Sequence, residues 1–242
     1  MKPPFPALKG YLRSPTIVNN VETLAAVVPI IRDGATAYKK FGTEKSAGTK
    51  LFSISGNVVK PGVIEIPLGT PLRDVIFEYC GGLKPGRKLK AVIPGGSSAP
   101  VLNAEESMKV NMDYEDLAKM GSMLGSGAII VMDDSNCMVD MLHVIMHFYH
   151  HESCGQCTPC REGTGWLDKV VSSIYRGEGR LQDIALIEKV AKNMMGRTIC
   201  ALSDAAAMPA ISFVQKFKEE FEFYVREGRS KVKGMAHAEM HH

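Results

Sequence analysis

Four cysteines place the strongest constraint on this chain of 242 residues. Cys154, Cys157 and Cys160 stand with two residues between successive thiols, and Cys200 follows forty residues later. A loop with this spacing can wrap one corner of an iron-sulfur cubane, because each thiolate reaches a different iron and a distant cysteine closes the fourth site. Structural zinc sites more often take cysteines as two separated pairs. The pattern therefore favours a 4Fe-4S cluster, with a zinc ion and free thiols as the alternatives.

The residues around these cysteines indicate how such a site would be built. Gly155 permits a close approach of the backbone, and Pro159 limits the entropy that the loop loses when it becomes ordered. Arg161 and Arg197 have two interpretations, as cations that favour the reduced state of an anionic cluster or as solvated surface side chains.

Composition and charge exclude several classes of protein. The chain is 45% hydrophobic and 23% charged, with a net charge of +3 and no basic stripe of the kind that binds nucleic acid. Its longest apolar stretches are interrupted by Pro29, Asp33 and His143, so we expect no membrane insertion. Met1 is followed by Lys-Pro-Pro, which is not the apolar segment of a signal peptide. We therefore expect a cytoplasmic location, in which clustered cysteines bind metal more often than they form disulfides.

The predicted fold class is α+β, with a small β-grasp-like (soluble ligand-binding) domain followed by an α-helical bundle that carries the iron-sulfur cluster. Residues 1–48 combine a proline-rich extended arm with one helix. Residues 49–134 contain short strands and turns, and residues 135–228 show helical periodicity. Residues 229–242 are predicted to be a flexible tail.

Local patterns predict the elements of the two domains. In the first domain we expect a hairpin at residues 51–66 and a short helix with Thr70 as N-cap and Pro71 as its first residue. In the second domain we expect four amphipathic helices, the first of which starts near residues 133–135. His150 and His151 end that first helix, where they either cap its C-terminus or tune a cluster.

Five segments of the chain resemble the C-terminal half of the NADH- and FMN-binding flavoprotein (the F-type subunit) of respiratory complex I, an NADH-quinone oxidoreductase. Similar sequences occur in the diaphorase subunits of NAD-linked hydrogenases and formate dehydrogenases. The segment around the cysteines is the most specific of the five, and the resemblance covers nearly the whole chain. The matching segments are Lys2-Pro-Pro-Phe-Pro-Ala7, Pro15-Thr-Ile-Val-Asn-Asn-Val-Glu-Thr-Leu24, Val92-Ile-Pro-Gly-Gly-Ser-Ser-Ala-Pro-Val101, Glu152-Ser-Cys-Gly-Gln-Cys-Thr-Pro-Cys-Arg-Glu-Gly163 and Gly196-Arg-Thr-Ile-Cys200.

This resemblance implies a function and a second cofactor site. In the family, FMN takes a hydride from NADH and passes single electrons to the cluster. The Val-Asn-Asn segment of the family lines the FMN pocket, which implies that Val18, Asn19, Asn20 and Thr23 bind FMN here. Asparagine amides suit the ribityl and phosphate groups of a flavin. On spacing alone, the Asn pair would instead cap the helix that starts at Val21.

The sequence departs from the family because the glycine-rich FMN- and NADH-binding region is absent upstream of the arm. Residues 1–48 would then be a remnant of the flavin domain, and NADH would bind elsewhere. The expected partners are the other subunits of an NADH-oxidising complex, including a nucleotide-binding half and a downstream iron-sulfur protein. Through that complex the chain would lie on the inner face of the membrane.

Three functional hypotheses follow. The first is electron transfer from NADH through FMN to the cluster within an NADH dehydrogenase module, with the isolated chain inactive toward NADH. The second is a stand-alone cluster-bearing electron-transfer or docking module of a hydrogenase or formate dehydrogenase complex. The third is a structural zinc protein.

Overall fold

The computed structural model describes residues 4–232. None of the residues in the helices of its N-terminal segment, residues 4–38, is buried. This segment holds α1 (Pro6–Lys9), a 3-10 turn (Tyr11–Arg13), α2 (Val21–Asp33) and α3 (Ala35–Tyr38). The prediction of a wholly extended arm is therefore wrong, since Pro6 occupies the first position of a helical turn, where no N–H donor is needed. Residues 1–3 of the expected arm lie outside the described part.

A five-stranded sheet follows, with strand order β2-β1-β5-β3-β4. Its strands are β1 (Thr49–Gly56), β2 (Gly62–Pro67), β3 (Leu89–Ile93), β4 (Leu102–Asn103) and β5 (Ala128–Asp133). The predicted hairpin is confirmed, because β1 and β2 pair antiparallel, whereas β1 and β5 pair parallel. This mixed sheet matches the predicted β-grasp-like character.

Short helices connect the strands. They are α4 (Leu72–Asp74), a π-helical turn (Val75–Tyr79), α5 (Ala104–Ser107) and α6 (Tyr114–Lys119). The expected roles of Thr70 and Pro71 are wrong by one position: Pro71 is the N-cap, and the Thr70 hydroxyl donates to the carbonyl of Pro67 instead of capping.

The second half of the chain is a bundle of α7 (Met138–Glu152), α8 (Thr158–Tyr175), α9 (Leu181–Met194), α10 (Leu202–Lys216) and α11 (Lys218–Glu227). The last predicted helix is thus two helices, because the backbone at Phe217 (φ −121°, ψ 28°) leaves the α-helical region. The first helix begins later than residues 133–135, which instead form a turn in which Asp133 accepts from the backbone and hydroxyl of Ser135.

The sheet separates two hydrophobic cores. Because side chains alternate along β3, Ala91 and Ile93 pack with the helical bundle, whereas Val92 packs with the short helices on the other face. Polar contacts also cross from the sheet side to the bundle. They join Lys90 to Glu220 at 2.7 Å, Lys216 to Glu106 at 2.6 Å, Ser97 Oγ to Tyr149 Oη at 2.9 Å and Val101 N to Ser212 Oγ at 3.0 Å.

Within residues 4–232 there is no helix with the length and apolar content needed to cross a membrane. Of the predicted flexible tail, residues 233–242 lie outside the described part, and Ser230 is fully buried, so the tail does not begin at residue 229.

Candidate iron-sulfur centre

Two segments that are distant in sequence meet at one end of the helical bundle. The first is the loop between α7 and α8, with Cys154 and Cys157, and the second is the connection from α9 to α10, with Cys200. The packing of α8 against α9 brings them together. A hydrogen bond joins the two segments, in which the amide of Ile199 donates to Cys157 Sγ at 3.4 Å.

The N-terminus of α8 lies directly at the cysteines. Cys157 is the N-cap, and its carbonyl accepts from the amides of Cys160 and Arg161 at 3.1 and 2.9 Å. Pro159 lies in the first turn, where a proline costs no helical hydrogen bond. The N-terminus of a helix carries a partial positive charge, which stabilises anions such as thiolates. The start of this 18-residue helix therefore favours negative charge at the cysteine cluster.

The loop before α8 is held in a conformation that glycine favours. Gly155 has φ +76°, in the left-handed region, and the Ser153 hydroxyl accepts from its amide at 3.4 Å. Arg161 donates from Nη1 to the carbonyl of Gly155 at 2.9 Å and from Nε to Glu162 at 2.9 Å. Arg161 thus stabilises the conformation of the loop. Neither interpretation from the sequence, as a cation that favours the reduced cluster or as a solvated surface side chain, included this role.

The connection that carries Cys200 is held by polar contacts of its own. Gly196 adopts φ +69°, and its amide donates to Asp204 Oδ1 at 2.7 Å. The Thr198 hydroxyl donates to the carbonyl of Cys200 at 2.9 Å, and the Ser203 hydroxyl donates to the carbonyl of Met194 at 3.2 Å. These contacts fix the backbone on both sides of the fourth cysteine.

The four cysteines differ in burial. Cys160 is buried, Cys157 is half-buried, and Cys154 and Cys200 are exposed. Burial raises the pKa of the Cys160 thiol, the hydrogen bond with Ser153 lowers it, and the nearby Cys200, Cys154 and Cys157 raise it further. The site is therefore open, with one thiol inside the protein and two exposed thiols.

The residues fit an anionic cluster with thiolate ligands. Four thiols, a helix N-terminus and an amide within reach of Cys157 Sγ supply ligands, positive potential and an N–H···S contact. Within residues 4–232, no three His, Cys, Asp or Glu side chains form a group that could hold a single metal ion. The fit thus depends on the number of thiols and on the polar contacts of the two segments that carry them, not on a preformed single-ion site.

His150 and His151 lie in the last turn of α7, as predicted, and the His150 side chain in addition contacts α8. Its Nδ1 lies 2.9 Å from Asp168 Oδ2 on α8, and His147 Nδ1 lies 3.5 Å from the same oxygen. Asp168 is nearly buried, and Gly165 leaves room for the His150 ring, because a Cβ there would lie 3.2 Å from His150 Nε2. Sequence reasoning missed this pair because it depends on how α7 packs against α8.

The residues expected to bind FMN lie on the exposed N-terminal segment. Val18 is 73% exposed, and Asn19 and Thr23 are exposed as well. Asn20 is the N-cap of α2, and its Oδ1 accepts from the amide of Glu22 at 2.8 Å, as the capping interpretation predicted. No hydrogen bond or ion pair within residues 4–232 joins these positions to the cysteine segments.

Two parts of the chain match known protein families. Residues 140–224 match the family model of the NADH-ubiquinone oxidoreductase-F iron-sulfur binding region, and residues 50–131 match that of the SLBB domain. The first match spans all four clustered cysteines, and the second spans most of the sheet. The chain is therefore an SLBB sheet joined to a helical iron-sulfur binding region.

Several relatives are similar to the chain over nearly its whole length. The chain is 48% identical to the second NADH-quinone oxidoreductase F-subunit of Rhizobium meliloti, over 95% of this chain and 54% of that protein. It is 43% identical to the NADH-quinone oxidoreductase F-subunit of Mycobacterium tuberculosis, over 94% of this chain and 51% of that one. A crystal structure of an NAD+-reducing [NiFe]-hydrogenase in the H2-reduced state superposes with a TM-score of 0.83 at 33% identity, covering 93% of this chain and 38% of that chain.

Over nearly its whole length the chain is homologous to NADH-quinone oxidoreductase F-subunits, and it spans about half the length of the curated relatives it matches.

Proposed function

We propose that this chain is the cluster-bearing part of an NADH-oxidising flavoprotein and that Cys154, Cys157, Cys160 and Cys200 bind one 4Fe-4S cluster. The observation that carries the proposal is the contact between the two cysteine segments, since the amide of Ile199, the neighbour of Cys200, donates to Cys157 Sγ at 3.4 Å. When bound, the cluster would accept and release one electron at a time.

The residues of the chain have distinct roles at this site. The first turn of α8 stabilises the anionic thiolates through its unpaired amides, and the amide of Ile199 donates to Cys157 Sγ. Burial of Cys160 excludes water from one side, whereas exposed Cys154 and Cys200 leave the other side accessible to redox partners. Arg161 holds the loop in shape through the Gly155 carbonyl.

Metal content and spectroscopy of cysteine variants test the ligand set. Anaerobically purified chain should contain roughly four iron and four sulfide per molecule and show an electron paramagnetic resonance signal after dithionite reduction. Cys200→Ala should abolish or alter that signal. The matched control, Cys80→Ala, removes a buried thiol from the other core and should leave it unchanged. Iron-free protein, or protein that holds zinc, would refute the proposal.

We also propose that Val18, Asn19, Asn20 and Thr23 form part of an FMN pocket that a nucleotide-binding half completes, with NADH bound in that half. The exposure of these residues supports the proposal, as does the apolar surface around them, which a partner would cover. Large apolar side chains that are at least 60% exposed in residues 5–31 are Phe5, Leu8, Tyr11, Leu12, Ile17, Val18, Val21, Val28 and Ile31.

Mixing the two halves tests the shared pocket. The isolated chain should not oxidise NADH with ferricyanide as acceptor, but it should restore FMN binding when mixed with the remaining half of the Rhizobium meliloti relative. Asn19→Ala should weaken that restored binding, whereas Gln182→Ala, on an exposed position of α9, should not. NADH oxidation by the pure chain, or no restoration of FMN binding, would contradict the proposal.

A second candidate is a cluster-bearing module of a hydrogenase or formate dehydrogenase complex, which the superposition on the NAD+-reducing [NiFe]-hydrogenase favours. Its test is the metal content of the native complex isolated through this chain, since nickel would indicate a hydrogenase. In the complex I alternative we propose that quinone-reducing subunits hold the chain at the cytoplasmic face of the membrane, and a downstream iron-sulfur protein takes its electrons. The names of the relatives as quinone oxidoreductases support this arrangement.

A further inference from the structure

Ser153 links the end of one helix to the beginning of the next, beside the buried cysteine. It is the C-cap of α7, and its side chain reaches a residue in the first turn of α8. There the Ser153 hydroxyl oxygen lies 3.3 Å from Cys160 Sγ. Cys160 is 7% exposed and Ser153 is half-buried, so this contact is largely shielded from bulk water. A hydrogen bond in such surroundings is electrostatically stronger than one in water.

The chemistry of a metal ligand decides which atom of this pair is the donor. A hydroxyl and a free thiol can each donate to the other, but a cysteine that ligates iron is a thiolate and has no proton to donate. The Ser153 oxygen already accepts a hydrogen bond from the amide of Gly155 at 3.4 Å. With Cys160 as a ligand, the hydroxyl proton is therefore the one that is directed at the sulfur.

The loop between α7 and α8 holds the hydroxyl in this position. Gly155 has φ +76°, a conformation that glycine adopts without strain, and its carbonyl accepts from Arg161 Nη1 at 2.9 Å. Arg161 thus fixes Gly155, and the amide of Gly155 restricts the rotation of the Ser153 side chain. A donor that is already oriented does not have to reorganise when charge is added nearby.

We propose that the Ser153 hydroxyl donates a hydrogen bond to the thiolate of Cys160 and thereby raises the reduction potential of the cluster at the cysteine site. The inference rests on the proposed function and assigns a side chain that influences how readily the site takes up an electron. Reduction adds one negative charge, part of which lies on the thiolate sulfurs. A donor directed at one of these sulfurs stabilises the reduced state more than the oxidised state. Ser153 is a positioning residue, because it acts through Cys160.

A redox titration of the anaerobically prepared chain, followed by electron paramagnetic resonance, measures this effect. Ser153→Ala should shift the reduction equilibrium at least threefold toward the oxidised state, a potential lower by about 28 mV for a one-electron couple. Ser153→Thr keeps a hydroxyl and should match the unmodified chain. The matched control is Thr158→Val, which removes an exposed hydroxyl of the same loop that makes no hydrogen bond within residues 4–232, and it should also match. An unchanged potential in Ser153→Ala, or an equal drop in Ser153→Thr, would overturn the proposal.

The exchangeable protons of the site give a second test. After exchange into D2O, electron-nuclear double resonance of the reduced site should show a deuteron coupling that Ser153→Ala lacks and Thr158→Val retains. If Ser153→Ala holds no cluster, Ser153→Gly takes its place in both measurements. If neither holds a cluster while Ser153→Thr does, the hydroxyl is required for assembly of the site, and the proposed effect on the potential is refuted. Absence of the cluster from the unmodified chain would refute the proposed function, whereas a loaded chain whose potential is independent of Ser153 would refute only this inference.

Discussion

Glu220 joins three separate segments of the protein, and its replacement gives the sharpest test of how the sheet and the bundle are held together. The carboxylate is on α11 and is nearly buried. One oxygen accepts from the amide of Met138, at the N-terminus of α7, at 2.9 Å, and the other lies 2.7 Å from Lys90 Nζ on β3. Lys90 has one further partner, the carbonyl of Asn136, at 2.6 Å.

The magnitude follows from what Glu220→Ala leaves behind. The Lys90 ammonium, whose side chain is 18% exposed, loses its counter-ion, and the Met138 amide loses its acceptor. Removing one partner of a buried ion pair lowers the free energy of unfolding by about 3–5 kcal/mol. Since Lys90 keeps its bond to Asn136 and some access to water, we expect the lower part of that range, about 3 kcal/mol. Glu220→Gln keeps an acceptor for Met138 and should cost about 1–2 kcal/mol.

These differences in the free energy of unfolding are measured by guanidinium unfolding under anaerobic conditions. Unfolding is followed by far-ultraviolet circular dichroism and by the absorbance of the cluster. Because cofactor loss breaks two-state behaviour, the variants are compared both as cluster-loaded and as metal-free protein. The matched control is Glu222→Ala on the same helix, which removes exposed pairs with Arg226 at 3.3 Å and Lys218 at 3.8 Å and should cost under about 1 kcal/mol. Equal losses for Glu220→Ala and Glu222→Ala would refute this reasoning.

Three further predictions concern single sites. Burial raises the pKa of Glu22, but hydrogen bonds from Lys50 and from the backbone of Leu51, together with the charge of Lys50, bring it below 4.5. The contribution of the Glu22 carboxylate to stability is therefore present above pH 4.5 and is lost as the pH falls. The hydrogen-exchange protection factors of α2, corrected for the intrinsic exchange rate at each pH, should therefore fall in acid, and Glu22→Gln should remove this change. Burial lowers the pKa of His143 below 6.5, with a partial offset from a nearby carboxylate, so the unfolded state takes up the proton first. Stability should be complete above pH 6.5 and fall as the pH drops below it, and unfolding of His143→Asn should lack this slope. Gly163→Ala places a Cβ 2.6 Å from Met194, so overpacking of about 1–3 kcal/mol should outweigh a helix-propensity gain of about 1 kcal/mol. A higher melting temperature for this variant would contradict the close packing of α8 on α9.

Periodicity and spacing were sufficient for the parts of the structure that depend on neighbouring residues. The hairpin at β1 and β2 and the helical second half of the chain were both predicted on such grounds. The break at Phe217 was not, because the apolar spacing continues across it while the backbone leaves the helix. Helix periodicity locates an apolar face and does not show whether that face bends around a core.

Contacts between distant segments were beyond the reach of sequence reasoning. The local sequence does not indicate that Glu220 is nearly buried against Lys90, or that Asp168 is nearly buried against His150. It likewise does not indicate that about half of the Trp166 side chain is exposed. Each of these properties is set by which helix packs on which, and the sequence of one helix does not contain that information.

The junction between the sheet and the bundle has a functional consequence if electrons enter and leave at different surfaces. The proposed flavin-side residues lie on the segment before the sheet, which Glu22 anchors to β1 through Lys50 and the amide of Leu51 at 2.6 and 2.8 Å. The cysteines lie at the end of the bundle. Electron transfer depends steeply on distance, so the joints between these parts must be rigid. Buried ionic and hydrogen-bonded contacts such as Lys90–Glu220 have a defined geometry that apolar contact alone does not impose. On the proposed function, these polar contacts would keep the distance between the N-terminal segment and the cysteines constant, in addition to their contribution to stability.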